Sequence, residues 1–189
     1  MYRLAIQQEN KAEQNYAKTQ YQRILSAVRT RHWSEQTGFY HDWNVNDDKL
    51  SQVMNLDAFY FLYFEKDRTR VAQMLDKIND PKKFALPYPP ATAADGDGFC
   101  PDGYFSGGYW PREMGYLGMG LAQVGEKAAG ERLILQAIVS APGNQICETL
   151  NPQTGKRTRK PVRLAYGSVL IAALQHLEQK IPWCILPPD

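Results

Sequence analysis

One short segment of the sequence combines glycine, aromatic and charged residues: positions 107–113, GGYWPRE. The pattern predicts that a helix starts at Trp110, so Arg112 and Glu113 lie in its first turn. Backbone N–H groups point outward at such a start, the rings of Tyr109 and Trp110 can stack on a ligand ring, and an arginine can hold oxygen atoms with two hydrogen bonds. The alternative is structural, with Trp110 buried and the two charged residues solvated.

A second candidate is Glu148, a carboxylate between apolar residues in positions 146–152, ICETLNP. We predict a short strand at 145–149, in which Cys147 and Thr149 face away from the side of Glu148. A carboxylate on a short, stiff strand at the mouth of a loop suits a general base that must hold a water molecule. The alternative is a surface glutamate with no chemical role.

Other charged clusters are weaker candidates. The DGDG run at 95–98 resembles a calcium loop only superficially, because the glutamate that ends such a loop is absent, and we predict no metal site. The basic residues between 156 and 163 indicate a solvated loop, with contact to a phosphate or an acidic sugar as the alternative. The three histidines are isolated from one another, no nucleotide-binding glycine motif occurs, and we predict no cofactor.

Composition restricts the class of protein. The chain has 189 residues, of which 43% are hydrophobic and 22% charged, as in folded soluble proteins. A net charge of +2 argues against a nucleic-acid or membrane-surface binder. No apolar run is long enough to span a membrane, and the first residues do not form a secretory signal. Three widely spaced cysteines match no zinc or redox spacing, so we predict reduced thiols in a cytoplasmic protein, although a signal peptide in a longer parent would be invisible.

Helices must position these candidates. Apolar residues at helical spacing predict six helices, at roughly 10–31, 48–64, 69–79, 110–125, 126–141 and 167–179. Asp47 or Asp48 is expected to cap the second helix and Thr69 the third. We therefore predict an all-α fold of antiparallel helical hairpins, with a strand-like piece near Glu148. Patterning alone does not separate a bundle, a solenoid and a toroid.

Two long loops interrupt the helices, at 81–109 and 143–166. The first is rich in proline, glycine and aromatic residues, which indicates an ordered, functional loop. We predict that residues 1–189 form one domain or domain fragment with both loops on its substrate side.

In their order, five segments resemble motifs of the (α/α)6-barrel glycoside hydrolases, among them the trehalases, the family 63 processing α-glucosidases and the debranching-type glucosidases. The segments are 33–45 (WSEQTGFYHDWNV), 83–90 (KFALPYPP), 107–121 (GGYWPREMGYLGMGL), 146–155 (ICETLNPQTG) and 165–168 (AYGS). The resemblance covers nearly the whole chain and implies about half of an (α/α)6 toroid, the C-terminal half.

The resemblance also implies roles for individual residues. Glu148 matches the general base that activates water in inverting members of the family, and Trp110 and Arg112 match sugar-contacting positions. Tyr166 takes the place of the tryptophan in the last motif. The implied substrate-binding residues are Tyr109, Trp110, Arg112, Glu113 and Tyr166.

The implied reaction is hydrolysis of an α-glycosidic bond with inversion, as in α-glucosidases and trehalases. Such an enzyme needs a second carboxyl group as acid, about 6.5–9.5 Å from the base, and in these families the acid precedes the region matched here. We therefore expect half an enzyme that requires a second copy or a missing N-terminal half. The alternatives are a non-catalytic carbohydrate-binding or assembly module, and a helical scaffold for protein contacts.

Overall fold

The computed structural model describes residues 2–140, 147–158 and 166–179, which are mostly helical. The α-helices are α1 (Tyr2–Gln7), α2 (Lys11–Arg31), α3 (Arg68–Ile78), α4 (Glu113–Gln123), α5 (Lys127–Val139) and α6 (Tyr166–Gln179). A 3₁₀ helix spans Leu56–Tyr63. Two short antiparallel hairpins precede it, β1 (Trp33–Ser34) with β2 (Phe39–Tyr40) and β3 (Trp43–Asn44) with β4 (Lys49–Leu50). The predicted all-α class is confirmed.

Local capping chemistry explains where two of the predicted helices start. The side chain of Asn10 accepts a hydrogen bond from the backbone N–H of Glu13 at 3.2 Å, so α2 begins where the sequence predicts. The third helix begins slightly earlier than predicted. Asp67 caps it, because the Asp67 carboxylate accepts from the backbone N–H groups of Thr69 and Arg70 at 2.8 and 3.3 Å.

The predicted helix at 48–64 is wrong in its first part. Asp48 has a φ of 50° and lies in the turn between β3 and β4, and Lys49–Leu50 pairs with Trp43–Asn44. The side chain of Asn44 accepts from the backbone N–H of Asn46 at 3.0 Å. Asparagine and aspartate side chains stabilise turns in this way, and here they compete successfully with helix capping. The helical part begins only at Leu56.

The helix predicted from Trp110 starts at Glu113 instead. Tyr109 is extended, because its N–H and C=O groups pair with the C=O and N–H groups of Leu150 at 2.8 and 2.9 Å. Trp110 and the next two residues then form a turn into α4. The strand-like piece predicted near Glu148 consists of isolated bridges from Leu150 to Tyr109 and to Arg157, and positions 145–146 lie outside the described residues.

Helix α4 lies at the centre of the core, and its glycines allow close packing on three sides. A Cβ at Gly115 would lie 2.9 Å from the Val169 side chain in α6, and one at Gly118 would lie 2.6 Å from Ile134 in α5. A Cβ at Gly120 would approach the carbonyl oxygen of Phe59 at 3.1 Å. A side chain at any of these positions would force its neighbours to shift, which explains why glycine occurs here despite its low helix propensity.

The long helix α2 lies at the edge of the described structure. None of its 21 residues is fully buried, and Tyr16 and Ile24 are 57% and 59% exposed. The sequence predicts an apolar stripe on this helix at Ala17, Tyr21, Ile24, Leu25 and Val28, and four of the five are half-buried whereas Ile24 is exposed. In the part of the chain that the structure describes, no helix has the length and apolar character needed to cross a membrane.

Candidate active site

A cavity of about 310 Å³ opens where the start of the 3₁₀ helix, the long loop and the start of α4 meet. Four lining residues come from the 3₁₀ helix and the residue before it, and two come from the long loop. Arg112 and Glu113 close one end. The lining residues are Asn55, Leu56, Asp57, Tyr60, Ala91, Phe105, Trp110, Arg112 and Glu113. A cavity of this size accommodates one sugar-sized ring.

Glu113 is held by two partners at this end of the cavity. The Tyr60 hydroxyl donates to Oε2 of Glu113 at 2.5 Å, and Nε of Arg112 donates to Oε1 at 2.6 Å. The Glu113 side chain is 14% exposed and the Arg112 side chain 37%. Burial and the Glu113 carboxylate raise the pKa of the Tyr60 hydroxyl, which keeps it a hydrogen-bond donor. The arrangement presents a fixed carboxylate and a guanidinium to a ligand.

Asp57 adds a second carboxyl group to the cavity. Its side chain remains open to solvent, but it sits in a concave surface. Partial desolvation, with the nearby carboxylates of Asp42 and Glu113, raises the pKa of the Asp57 carboxyl. Hydroxyl groups of a ligand can therefore meet both donors and acceptors here.

Trp110 forms the apolar part of the cavity wall but is itself 6% exposed. Its indole N–H donates to the backbone carbonyl of Tyr104 at 2.8 Å, and the ring of Tyr104 contacts it edge-on at 4.4 Å between centroids. Phe105 stacks on the indole with centroids 5.3 Å apart and planes inclined by 8°. The indole is thus fixed by both neighbours.

Tyr109 lies outside the cavity lining. Its side chain is fully buried and packs against Tyr88 with centroids 5.1 Å apart. Of the predicted substrate-binding residues, the cavity brings together Trp110, Arg112 and Glu113. The side chain of Tyr166 lies outside the described residues.

Glu148 lies beside the cavity rather than among its lining residues. The hydroxyl of Tyr104 donates to Oε1 of Glu148, so one residue contacts both the carboxylate and the indole of Trp110. Cys147 and Thr149 are buried while Glu148 is half-buried, which is the alternation that the sequence predicts. The hydroxyls of Thr149 and Thr158 hydrogen bond at 2.7 Å and fix the segment.

Four contributors to the site were not among the predicted residues: Asp57, Tyr60, Tyr104 and Phe105. Asp57 and Tyr60 lie in an apolar run, LDAFYFLY, that predicts only burial. Tyr104 and Phe105 belong to the aromatic group in the long loop, and that clustering is the one signal that pointed to them. The other acidic candidates have local partners: Asp95 pairs with Lys83 at 2.5 Å and Asp102 accepts from Asn151 at 2.7 Å.

No group of three or more potential metal ligands occurs among the residues that the structure describes. The basic run divides at the limit of the described residues, with Lys156 and Arg157 inside it and Arg159, Lys160 and Arg163 outside.

Solved structures of glycoside hydrolases share this fold. The family 63 mannosylglycerate hydrolase from Thermus thermophilus, solved in complex with glucose, gives a TM-score of 0.76 at 20% identity. The alignment covers 92% of this chain and 43% of that one. Neutral trehalase from Saccharomyces cerevisiae gives 0.60 at 17% identity, with 86% and 32% covered. A sialidase gives 0.74 at 16% identity, with 91% and 18% covered. The chain thus has the fold of part of these helical glycoside hydrolase structures.

The match of the sequence to a family model identifies the family of the chain more specifically. Residues 2–168 match the mannosylglycerate hydrolase MGH1-like glycoside hydrolase domain, and the chain belongs to that family. Comparison with curated proteins gives no sequence match. The chain spans less than half the length of the solved structures it resembles.

Proposed function

We propose that the chain supplies the general-base part of an inverting glycoside hydrolase site that cleaves an α-glycosidic bond. Family membership implies a carbohydrate substrate. The observation that carries the proposal is the contact of Glu148 with Tyr104, which also binds the indole of Trp110 at the cavity wall. The carboxylate is therefore fixed beside a cavity of sugar size.

In the proposed reaction Glu148 takes a proton from a water molecule as that water attacks the anomeric carbon of the sugar. An acid on the opposite side gives a proton to the leaving-group oxygen, and the configuration inverts. Tyr104 fixes Oε1 of Glu148 and so orients the carboxylate toward the water. This matters because a general base must lie within hydrogen-bond reach of the proton it removes.

The sugar itself would occupy the cavity. Arg112 and Glu113 bind its hydroxyl groups, with Tyr60 and Asp57 beside them. Trp110 provides the apolar wall. Tyr109 acts through its backbone, which pairs with Leu150 and so ties the segment of Glu148 to the start of α4. A contact of Tyr166 with the substrate stays a prediction.

We propose that the general acid lies outside these 189 residues, in a preceding half-toroid or in a second copy of the chain. The share of the solved relatives that the chain spans supports this, since it is 43% of the Thermus hydrolase. In this arrangement residues 1–189 form one domain, and the loops at 81–109 and 143–166 face the substrate.

The substrate class is an α-glycoside of glucose or a related sugar, with trehalose and mannosylglycerate as the first compounds to test. A cytoplasmic location is part of the same proposal. The free thiols of Cys100 and Cys147 are consistent with a reducing compartment.

Glu148→Gln tests the catalytic role in the assembled enzyme. We expect turnover of p-nitrophenyl α-glycosides or trehalose to fall by about 10²–10⁴-fold, because the amide cannot accept the proton. Sugar binding should remain, because the shape of the side chain is unchanged. Glu131→Gln in α5 is the matched control and should leave both quantities unchanged, since Glu131 pairs with Lys127 on the surface of that helix, away from the cavity lining. A normal rate in Glu148→Gln would contradict the assignment.

The second candidate is a non-catalytic carbohydrate-binding or assembly module. This candidate is favoured because the chain spans less than half the length of these solved relatives. Assay of the 189-residue chain together with a separately supplied first half separates the two. Binding of sugar without turnover in that mixture supports the module, and turnover that depends on Glu148 supports the enzyme.

A further inference from the structure

Phe105 has an unusual environment for a large apolar side chain. It is 73% exposed, although it belongs to a loop whose neighbouring residues are half-buried or buried. Nine large hydrophobic side chains are exposed in the described part of the chain, and Phe105 is the one of them that lines the 310 Å³ cavity. The position of Phe105 among the lining residues of a cavity with charged groups points to contact with a ligand.

The ring of Phe105 has a fixed orientation. Its inner face stacks on Trp110, and the ring of Tyr104 contacts it edge-on with centroids 4.5 Å apart. Trp110 is in turn held by its hydrogen bond to the Tyr104 carbonyl. Phe105 and Trp110 therefore form a stacked pair, in which Phe105 is the exposed ring and Trp110 the buried one, and Tyr104 contacts both edge-on.

We infer that Phe105 is the surface on which the substrate's sugar ring packs, and that Trp110 stiffens this surface from behind. This inference rests on the proposed function and names a residue that sets its substrate specificity. The burial of Trp110 at 6% exposure leaves little of the indole for a ligand, whereas Phe105 offers a broad apolar face.

The chemistry of a pyranose fits the two sides of the cavity. One face of the ring consists of C–H groups that pack on an aromatic ring, and the rim carries hydroxyl groups. Glu113 and Arg112 provide the charged acceptor and donor for those hydroxyls. An open-chain polyol has the hydroxyls but no flat C–H face. Phe105 therefore selects cyclic sugars over acyclic ones with the same number of polar groups.

The test measures binding of D-glucose and of sorbitol, its acyclic counterpart, to the 189-residue chain by NMR chemical-shift titration. We expect the wild-type protein to bind glucose more tightly than sorbitol. Phe105→Ala should lower glucose affinity by about five- to tenfold, the scale of a lost aromatic contact, and leave sorbitol affinity unchanged. Phe105→Tyr should retain the preference. Phe105→Leu, which is apolar but not flat, should lose most of it.

Val45→Ala is the matched control, because Val45 is 81% exposed in the β3–β4 turn and does not line the cavity. It should bind both compounds as the wild type does. If Phe105→Ala binds glucose as tightly as the wild type, the inference is overturned while the proposed sugar site stands. If the wild type binds glucose and Glu148→Gln has normal turnover in the assembled enzyme, the catalytic proposal fails and the packing role of Phe105 stands. Absence of all sugar binding by the wild type would overturn both.

Discussion

The molecule builds a tyrosine–glutamate–arginine group twice, once under the β1–β2 hairpin and once at the end of the cavity. The hairpin group consists of Tyr40, Glu65, Arg29 and Arg70, and the cavity group consists of Tyr60, Glu113 and Arg112. In each group the tyrosine hydroxyl donates to Oε2 of the glutamate. The chemistry is shared, and the difference lies in what surrounds it.

In the hairpin group, other residues of the protein supply the hydrogen-bond donors to both carboxylate oxygens of the glutamate. The Glu65 side chain is 1% exposed, and its Oε1 accepts from the backbone N–H groups of Lys66 and Asp67 at 2.8 and 2.9 Å. Arg29 lies 3.4 Å from the same oxygen. Burial and the hydrogen bond to Glu65 raise the pKa of the Tyr40 hydroxyl. This group connects α2, the hairpin and the start of α3, so its role is structural.

In the cavity group the glutamate is held but not enclosed. Glu113 and Arg112 both line the cavity and keep solvent-accessible surface. The partners of Glu113 are Tyr60 on the 3₁₀ helix and Arg112 before α4, and both line the cavity with it. Under the proposed function, burial of the whole group separates a structural cluster from a binding cluster, whereas residue type alone does not.

Removal of the glutamate should show the largest difference between the groups. We expect Glu65→Ala to lower the free energy of unfolding by about 2–4 kcal/mol, because it leaves the Tyr40 hydroxyl and two backbone N–H groups without their acceptor and removes an ion-pair partner of Arg29. Glu113→Ala should lower it by about 1 kcal/mol, since water can solvate the remaining partners. Urea denaturation followed by circular dichroism measures both changes.

Sugar affinity should change in the opposite order. Glu113→Ala is expected to weaken glucose binding about tenfold, by loss of a charged acceptor, and Glu65→Ala should leave binding by the folded fraction unchanged. Equal losses of stability in the two variants would contradict the assignment of separate roles.

Substitution of the two tyrosines compares the same two groups through a smaller change in structure. Tyr40→Phe removes only a hydroxyl and should cost about 1.5 kcal/mol of unfolding free energy, because the hydrogen bond to Glu65 is buried and charge-assisted. Tyr60→Phe should cost less than about 1 kcal/mol, since Glu113 keeps Arg112 and contact with water. Thermal unfolding at matched concentration measures the order. A larger loss in Tyr60→Phe than in Tyr40→Phe would reverse the interpretation.

Sequence reasoning predicted the helices well where apolar residues recur on one face and a capping or breaking residue marks a boundary, as Asn10 does before α2 and Pro81 does after α3. It failed where turn chemistry competes, as at Asp48, because the same side chain can cap a helix or stabilise a hairpin. The sequence predicted only part of the cavity group. Arg112 and Glu113 follow a conspicuous aromatic motif, whereas Tyr60 is one aromatic residue among several in a buried run and becomes special only through its distance to Glu113.

The roles of the aromatic residues show the same limit. The sequence indicates that Tyr109 and Trp110 are near a ligand, but it cannot show which ring is covered by which. Pairing of Tyr109 with Leu150 and stacking of Phe105 on Trp110 are long-range and local tertiary contacts that composition does not encode. As a result, the predicted rings of Tyr109 and Trp110 are buried, and the exposed ring at the cavity is that of Phe105 in the neighbouring loop.

The smallest expected effect concerns Asp57, which makes the stability of the cavity end depend on pH. Partial desolvation and nearby carboxylates raise the pKa of its carboxyl in the folded protein. The folded state then holds this proton more tightly than the unfolded state, so the free energy of unfolding falls as pH rises from about 3.9 through the raised pKa. Asp57→Asn should therefore be more stable than the wild type above that range, by no more than about 0.5 kcal/mol because solvent screens the side chain.

Below about pH 3.9 both proteins carry a neutral group at position 57, and their stabilities should converge. Chemical denaturation at pH 3.5 and pH 7 measures the difference, with Asp76→Asn on α3 as a control for the loss of one acidic charge. A stability gain in Asp57→Asn of equal size at both pH values would show that packing, rather than the carboxylate charge, distinguishes the cavity end from the hairpin.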